Sequence, residues 1–228
     1  MQLSDFVAQG DIGRSTADRV CEILRQAIIG RVLEPGERLV EAKIAQELRV
    51  SITPVRQAFS NLANQGLLTV FPYKGTYVTI ITQEFINDLA FVREHVELLA
   101  IERAFDNIVP DDAKQLNNLC KLSDYHFQND DLYQAIHYDL QFHEFFISKA
   151  QSPLLIEMWK LIKQRIEYSQ TYTKYGDRPE NYMQLRHGKI ISAVETYDKA
   201  ALRSAMLDHM ETTIRLVNFP KEKDIQYK

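Results

Sequence analysis

The sequence predicts a mainly α-helical chain: three short helices and a β-hairpin, followed by an antiparallel bundle of about six longer helices. Three observations predict it. Before residue 66, apolar residues recur at helical spacing in three separate segments, and two β-prone runs follow. From residue 83 to 218 helical periodicity is almost unbroken. Glycine is nearly absent from that stretch, with only Gly176 and Gly188, which favours long helices over sheet. The 228 residues, 45% apolar and 25% charged, suffice for two small domains, expected over 1–80 and 81–228. That composition excludes a mainly disordered chain. No apolar run approaches the roughly 20 residues that a bilayer crossing needs. The start, MQLSDFVAQGD, lacks the basic and apolar segments of a secretory signal, so a cytoplasmic protein is expected. Cys21 and Cys120 form no CxxC motif, and both are expected to be reduced and buried.

The first helix is read over 16–29, with Val20, Ile23, Leu24, Ala27 and Ile28 on one face, Ser15 as cap, and Gly30 and Pro35-Gly36 at its end. A second helix fits 40–48, with Ile44, Ala45 and Leu48 inward. After the tight connection Arg49-Val50-Ser51, the third is expected to open with Thr53 as cap and Pro54 at its first position. Its inner face is Val55, Ala58, Phe59, Leu62 and Ala63, and Gly66 stops it. Runs 67–71 and 76–80, joined by Pro72-Tyr73-Lys74-Gly75, form the hairpin. This order of elements is a winged helix-turn-helix. The net charge of −4 argues against a polyanionic partner, yet no acid occurs between Glu47 and Glu84 while Arg49, Arg56 and Lys74 fall there. The outer face of the third helix (Ser51, Thr53, Arg56, Gln57, Ser60, Asn61, Asn64) is small and polar. A solvated face usually carries several Glu and Lys. This one suits base edges and phosphates.

Leu39–Leu48, Val50-Ser51-Ile52-Thr53-Pro54-Val55-Arg56-Gln57-Ala58, Leu62, Gln65-Gly66-Leu67 and Lys74-Gly75 with Val78 resemble the GntR family of bacterial transcription regulators. The resemblance implies that the third helix enters the major groove of operator DNA and that the wing approaches the minor groove. Carried over by position, the DNA contacts are Ser51, Thr53, Pro54, Arg56, Lys74 and Gly75. Ile52 departs from the family, which usually has a polar residue there. An aliphatic side chain cannot donate to guanine, so a thymine methyl is expected under it. Arg56 is expected to touch either a phosphate or a guanine.

In the second part, helices are expected over about 83–107, 111–128, 131–150, 153–173, 179–196 and 198–217, with starts at Thr82, Asp111, Asp130, Ser152 before Pro153, and Asp198. Asp139 and His143 are four apart and share a face. His187 precedes Ile190, Ile191 and Val194 at helical spacing. His209 shares a stripe with Leu202, Ala205 and Met206. One carboxylate and three imidazoles from three helices are therefore candidates for a divalent metal, Zn²⁺, Ni²⁺, Mn²⁺ or Fe²⁺, with Zn²⁺ or Ni²⁺ favoured. His95, His126 and His137 are read as structural. Tyr168, Tyr172 and Tyr175 are candidates to shape a pocket.

Arg93 with Glu97 and Ala104, Asp139 with Phe142-His143, Pro153-Leu154-Leu155, His187 with Ile190 and Ala193, and Asp198, Ala201, Met206 and His209 resemble the FCD ligand-binding domain of the FadR subfamily of GntR regulators. The six-helix count is similar to its VanR-type branch. The resemblance implies a metal held by Asp139, His143, His187 and His209, a small carboxylate effector at its open positions, and Arg93 as counter-charge. It also implies a homodimer on a two-fold operator, most commonly as a repressor. Two other readings compete. A hydrolase or oxygenase could use the same metal ligands, although no HExxH motif is present. A regulator could also sense the metal ion itself.

Overall fold

A computed structural model describes residues 3, 15–171, 179–216 and 227. The chain falls into two compact units that divide between Thr82 and Gln83. Tyr172 and Tyr175 lie outside the described residues.

The first unit opens with α1 (Thr16–Ile29), as its apolar spacing predicts. Ser15 and Asp18 form a capping box at its start. A two-residue strand, β1 (Arg38–Leu39), leads into α2 (Glu41–Glu47) and α3 (Ile52–Asn64). The expected cap of α3 needs correction: the helix starts two residues before Pro54, with Ser51 rather than Thr53 at the cap position. Pro54 is still in the first turn, where its missing N–H costs nothing. The other end follows the sequence. Gly66 takes φ 80°, its N–H donates to Ala63 O, and Leu67 N–H donates to Leu62 O. That is the Schellman arrangement, which requires a left-handed residue. Leu24, Ala27 and Ile28 of α1 and Val55, Ala58 and Leu62 of α3 are fully buried. Each large aliphatic among them contributes about 1.5–3 kcal/mol by leaving water.

The hairpin consists of β2 (Leu68–Phe71) and β3 (Gly75–Val78), paired antiparallel from Leu68–Val78 to Phe71–Gly75. β1 adds to the free edge of β3, giving the order β1-β3-β2. Two residues carry no alternation signal, so β1 is not legible in the sequence.

The second unit contains α4 (Gln83–Ala104), α5 (Asp112–Gln128), α6 (Leu132–Lys149), α7 (Pro153–Gln170), α8 (Tyr182–Glu195) and α9 (Lys199–Leu216). The expected first helix of this unit stops short, because residues 105–107 tighten into a 3-10 turn. Another correction concerns α6. Its cap is Asp131, which accepts from Gln134 N at 3.1 Å, and not Asp130, whose φ of 56° belongs to the preceding turn. Ser152 caps α7 and Asp198 accepts from Ala201 N, as expected. α4 packs on α6, α7 and α9; α5 packs on α6 and α8; α8 packs on α9. Ile101, Leu116, Ile136, Phe142, Phe146, Trp159, Ile190 and Met206 fill the centre. Both cysteines are free and buried, and burial raises both thiols above their ordinary range. Among the described residues no helix is long and apolar enough to cross a membrane.

Candidate nucleic-acid interface and metal centre

In the first unit, Ser51, Thr53, Arg56, Gln57, Ser60, Asn61 and Asn64 are all exposed on α3, and Pro54 is half-buried. Ile52 is also exposed. Ser51 makes no side-chain bond to the first turn. At the hairpin tip, Lys74 N–H donates to Phe71 O and Tyr73 holds φ 63°. Gly75 has φ 119°, and a Cβ placed on it would lie 3.0 Å from Arg38 Nε. The Arg38 side chain therefore rests against the wing glycine, a neighbour that only the β1–β3 pairing supplies. Glu41, in the first turn of α2, binds Arg56 at 3.1 Å. The acid-free stretch of sequence therefore has an acid beside it in space. Neither Arg38 nor Glu41 is singled out by the sequence, because each contact joins segments that are not neighbours along the chain.

In the second unit, α6, α8 and α9 bring His143, His187 and His209 together. One nitrogen of each lies within 4.8 Å of one nitrogen of the others. The ring centroids of His187 and His209 are 4.5 Å apart. Asp139 joins them, with Oδ1 3.4 Å from His187 Nε2. All four residues are buried. His95, His126 and His137 bond instead to Phe91 O, Asp131 and Gln141, away from this cluster.

The second atoms of His187, His143 and Asp139 are held from outside the cluster. His187 Nδ1 meets Met183 O at 2.9 Å. A carbonyl only accepts, so Nδ1 carries the hydrogen and the Nε2 lone pair faces the cluster. His143 Nδ1 meets Glu97 Oε2 at 2.6 Å, and Arg93 Nε donates to Glu97 Oε1 at 2.6 Å. Burial works to raise the Glu97 carboxyl, but the His143 imidazole and Arg93 guanidinium outweigh it and hold it below the usual carboxylate range. Gln170 Nε2 donates to Asp139 Oδ2 at 2.7 Å. Burial pushes His187 down to about 3 against the opposing pull of Asp139, and burial beside the other two imidazoles pushes His209 well below its ordinary value. At neutral pH both are uncharged, the form that binds a metal.

Among the described residues, Asp139 Oδ1, His143 Nε2 and His187 Nε2 point inward and find no hydrogen-bond partner. Arg93 Nη2 is likewise buried without a hydrogen bond. The sequence identifies the four clustered residues. The roles of Glu97, Gln170 and Met183 O are not legible there, although the Arg93–Glu97 spacing of four is a signal for a paired face.

Comparison with known proteins agrees with both halves. Residues 88–212 match the FCD domain family, and residues 16–78 match the family described as bacterial regulatory proteins, gntR family. The HTH-type transcriptional repressor RspR of Escherichia coli K12 is 25% identical over 193 residues, covering 85% of each chain. The HTH-type transcriptional regulator McbR of the same organism is 26% identical over 203 residues, covering 86% of this chain and 89% of its own. A solved structure of a transcriptional regulator GntR from Rhodococcus sp. RHA1 superposes with a TM-score of 0.75 at 25% identity, covering 90% of this chain and 98% of the other. These are regulators and not enzymes, which removes the hydrolase or oxygenase reading. A chain whose FCD match spans more than half its length, behind a gntR-type DNA-binding head, belongs to the GntR family of bacterial transcription regulators, among the members that carry an FCD domain.

Proposed function

We propose that this regulator is an operator-binding repressor whose grip on DNA is set by a small organic acid bound at a divalent metal in the FCD domain. One observation carries the reading: the buried, unbonded Asp139 Oδ1, His143 Nε2 and His187 Nε2 beside His209. Lone pairs buried without a partner lose hydration and regain nothing. A cation among them restores that loss, and the outer partners Glu97, Met183 O and Gln170 are of the kind that orient metal ligands. The donor set suits Zn²⁺ or Ni²⁺ first, then Mn²⁺ or Fe²⁺. Asp139, His143, His187 and His209 would hold such an ion. When bound, the metal supplies open coordination positions to an acid. Arg93, with Nη2 buried and unbonded, supports an anionic effector.

The DNA contacts are Ser51, Thr53, Pro54 and Arg56 at the start of α3, with Lys74 and Gly75 on the wing. The exposure of Ser51, Thr53, Arg56 and Lys74 supports this assignment, as does the first turn of α3, whose N–H groups Ser51 leaves to a phosphate. Ile52 meets a thymine methyl. A homodimer follows from two-fold operators, which place one head on each half-site. The resemblance of the six-helix unit favours the VanR-type branch, the name of RspR favours repression, and the cytoplasm is where such a regulator meets its operator. Effector and operator become coupled when the acid completes the metal shell in only one arrangement of α6, α8 and α9, typically by about 1–3 kcal/mol.

The test is a thermal-shift screen of small organic acids, with and without a chelator. An acid that raises the melting temperature only when metal is present, and fails to do so in Arg93→Ala, supports the reading. Stabilisation by the acid in demetallated protein contradicts it. A DNA response to metal alone favours direct metal sensing.

A further inference from the structure

Arg56 lies on the exposed face of α3, while Glu41 opens α2 fifteen residues earlier. Arg56 Nε and Nη2 both donate to Glu41 Oε2, at 3.2 and 3.1 Å. Those two bonds use one edge of the guanidinium. The end-on edge, formed by Nη1 and the second hydrogen of Nη2, is a fork that can meet two acceptors side by side. The Arg56 side chain is 71% exposed and that of Glu41 34%, so the fork is open to an incoming duplex.

Two physical consequences follow. Phosphate attraction is a matter of net charge, read as released counterions. A guanidinium with a carboxylate 3.1 Å away contributes little net charge, and the carboxylate itself is repelled by the backbone. Base recognition instead depends on directed donors, and guanine offers O6 and N7 side by side in the major groove. The second consequence is entropic. A free arginine surrenders rotamer freedom when it docks, whereas one already held by Glu41 surrenders less. The sequence alone left phosphate and guanine equally open for Arg56, and the ion pair separates them.

We propose that Glu41 makes Arg56 a reader of a guanine edge in the major groove, by cancelling its net charge and aiming its remaining donors. This makes Glu41 a positioning residue for operator specificity. The inference rests on the reading that α3 enters the groove.

The probes are a duplex enriched by the full wild-type chain from a randomised pool and a scrambled duplex of equal length, each titrated across a salt series. Arg56→Ala is expected to weaken binding to the enriched duplex by about 10-fold or more, to leave the scrambled duplex within about twofold, and to keep the salt slope. Glu41→Gln leaves the fold intact, because an exposed pair contributes little to stability. It frees a cation, so binding to the scrambled duplex rises severalfold, the salt slope steepens by about 0.9, and the ratio between the two duplexes shrinks. Equal loss on both duplexes in Arg56→Ala, with a slope shallower by about 0.9, overturns the inference and makes Arg56 a phosphate anchor. Uniform weakening in Glu41→Gln without a change of slope overturns it too, by making Glu41 merely structural. A wild-type chain that enriches no sequence contradicts groove reading by α3 itself, a failure visible before any variant is compared.

Discussion

His187 uses its two nitrogens for different purposes. Nδ1 is tied to Met183 O within its own helix, and Nε2 faces Asp139 and the other imidazoles. Fixing one nitrogen chooses the tautomer and hence the direction of the lone pair. His143 is fixed by the carboxylate of Glu97, which Arg93 holds in turn. Glu97→Gln keeps the shape and removes the charge, so metal affinity in a chelator competition should fall about 10–100-fold. The imidazoles also set a pH dependence. His187 sits at about 3 in the folded chain against an ordinary 6.5, with burial as the main cause. Between those values the unfolded chain takes up a proton that the folded chain refuses, so stability falls as pH falls. For metal-free protein the loss should approach about 1.4 kcal/mol per pH unit from His187 below pH ~6. His209 shifts in the same direction and adds to it. Urea midpoints measured from pH 7 to 4 check this; a flat profile contradicts neutral buried imidazoles. The partners that cross between helices, Glu97 to His143 and Gln170 to Asp139, are invisible in a linear sequence, whereas the His187–Met183 and Arg93–Glu97 bonds each lie within one helix.

Elements explain why the candidate metal ligands hold their places. α8 begins at Tyr182, and the side chain of its cap residue Asn181 makes no bond to its first turn. Asp124, from the buried face of α5, accepts from Met183 N at 2.7 Å and Gln184 N at 3.3 Å. A carboxylate from another helix thus caps the helix that carries His187, and it binds the N–H of Met183, the same residue whose carbonyl orients the ring. Burial raises the Asp124 carboxyl despite those two backbone N–H groups. Asp124→Ala should cost about 1–2 kcal/mol in urea unfolding and should also weaken metal binding. Loss of stability with unchanged metal affinity would show that α8 tolerates the missing cap. At this scale the sequence was legible wherever apolar periodicity was long. The run of Val20, Leu24, Ala27 and Ile28 gives the observed span of α1. It failed by a residue or two where two polar residues competed to start a helix, as with Asp130 and Asp131, or Ser51 and Thr53. Both members of each pair can accept a first-turn N–H, and only the backbone geometry decides between them.

Across the whole molecule, a winged helix-turn-helix and a helical bundle occupy one chain, and both could be read in advance because each has its own periodicity. The convergence of Asp139, His143, His187 and His209 was readable because helical spacing aims each of them inward. That Glu41 would meet Arg56, or Arg38 the wing glycine, was not, since those contacts depend on how α2 and β1 return beside α3 and β3. A metal held by His143, His187 and His209 would tie α6, α8 and α9 together and would stabilise only the folded chain. A chelator should therefore lower the melting temperature of the wild-type chain, and an excess of Zn²⁺ or Ni²⁺ should restore it. The most direct measurement is the metal content of the purified chain beside that of His143→Ala and His187→Ala. The account predicts about one divalent ion per wild-type chain and almost none in folded variants. A wild-type chain that carries no metal, and whose melting temperature does not change when Zn²⁺ or Ni²⁺ is added, contradicts it.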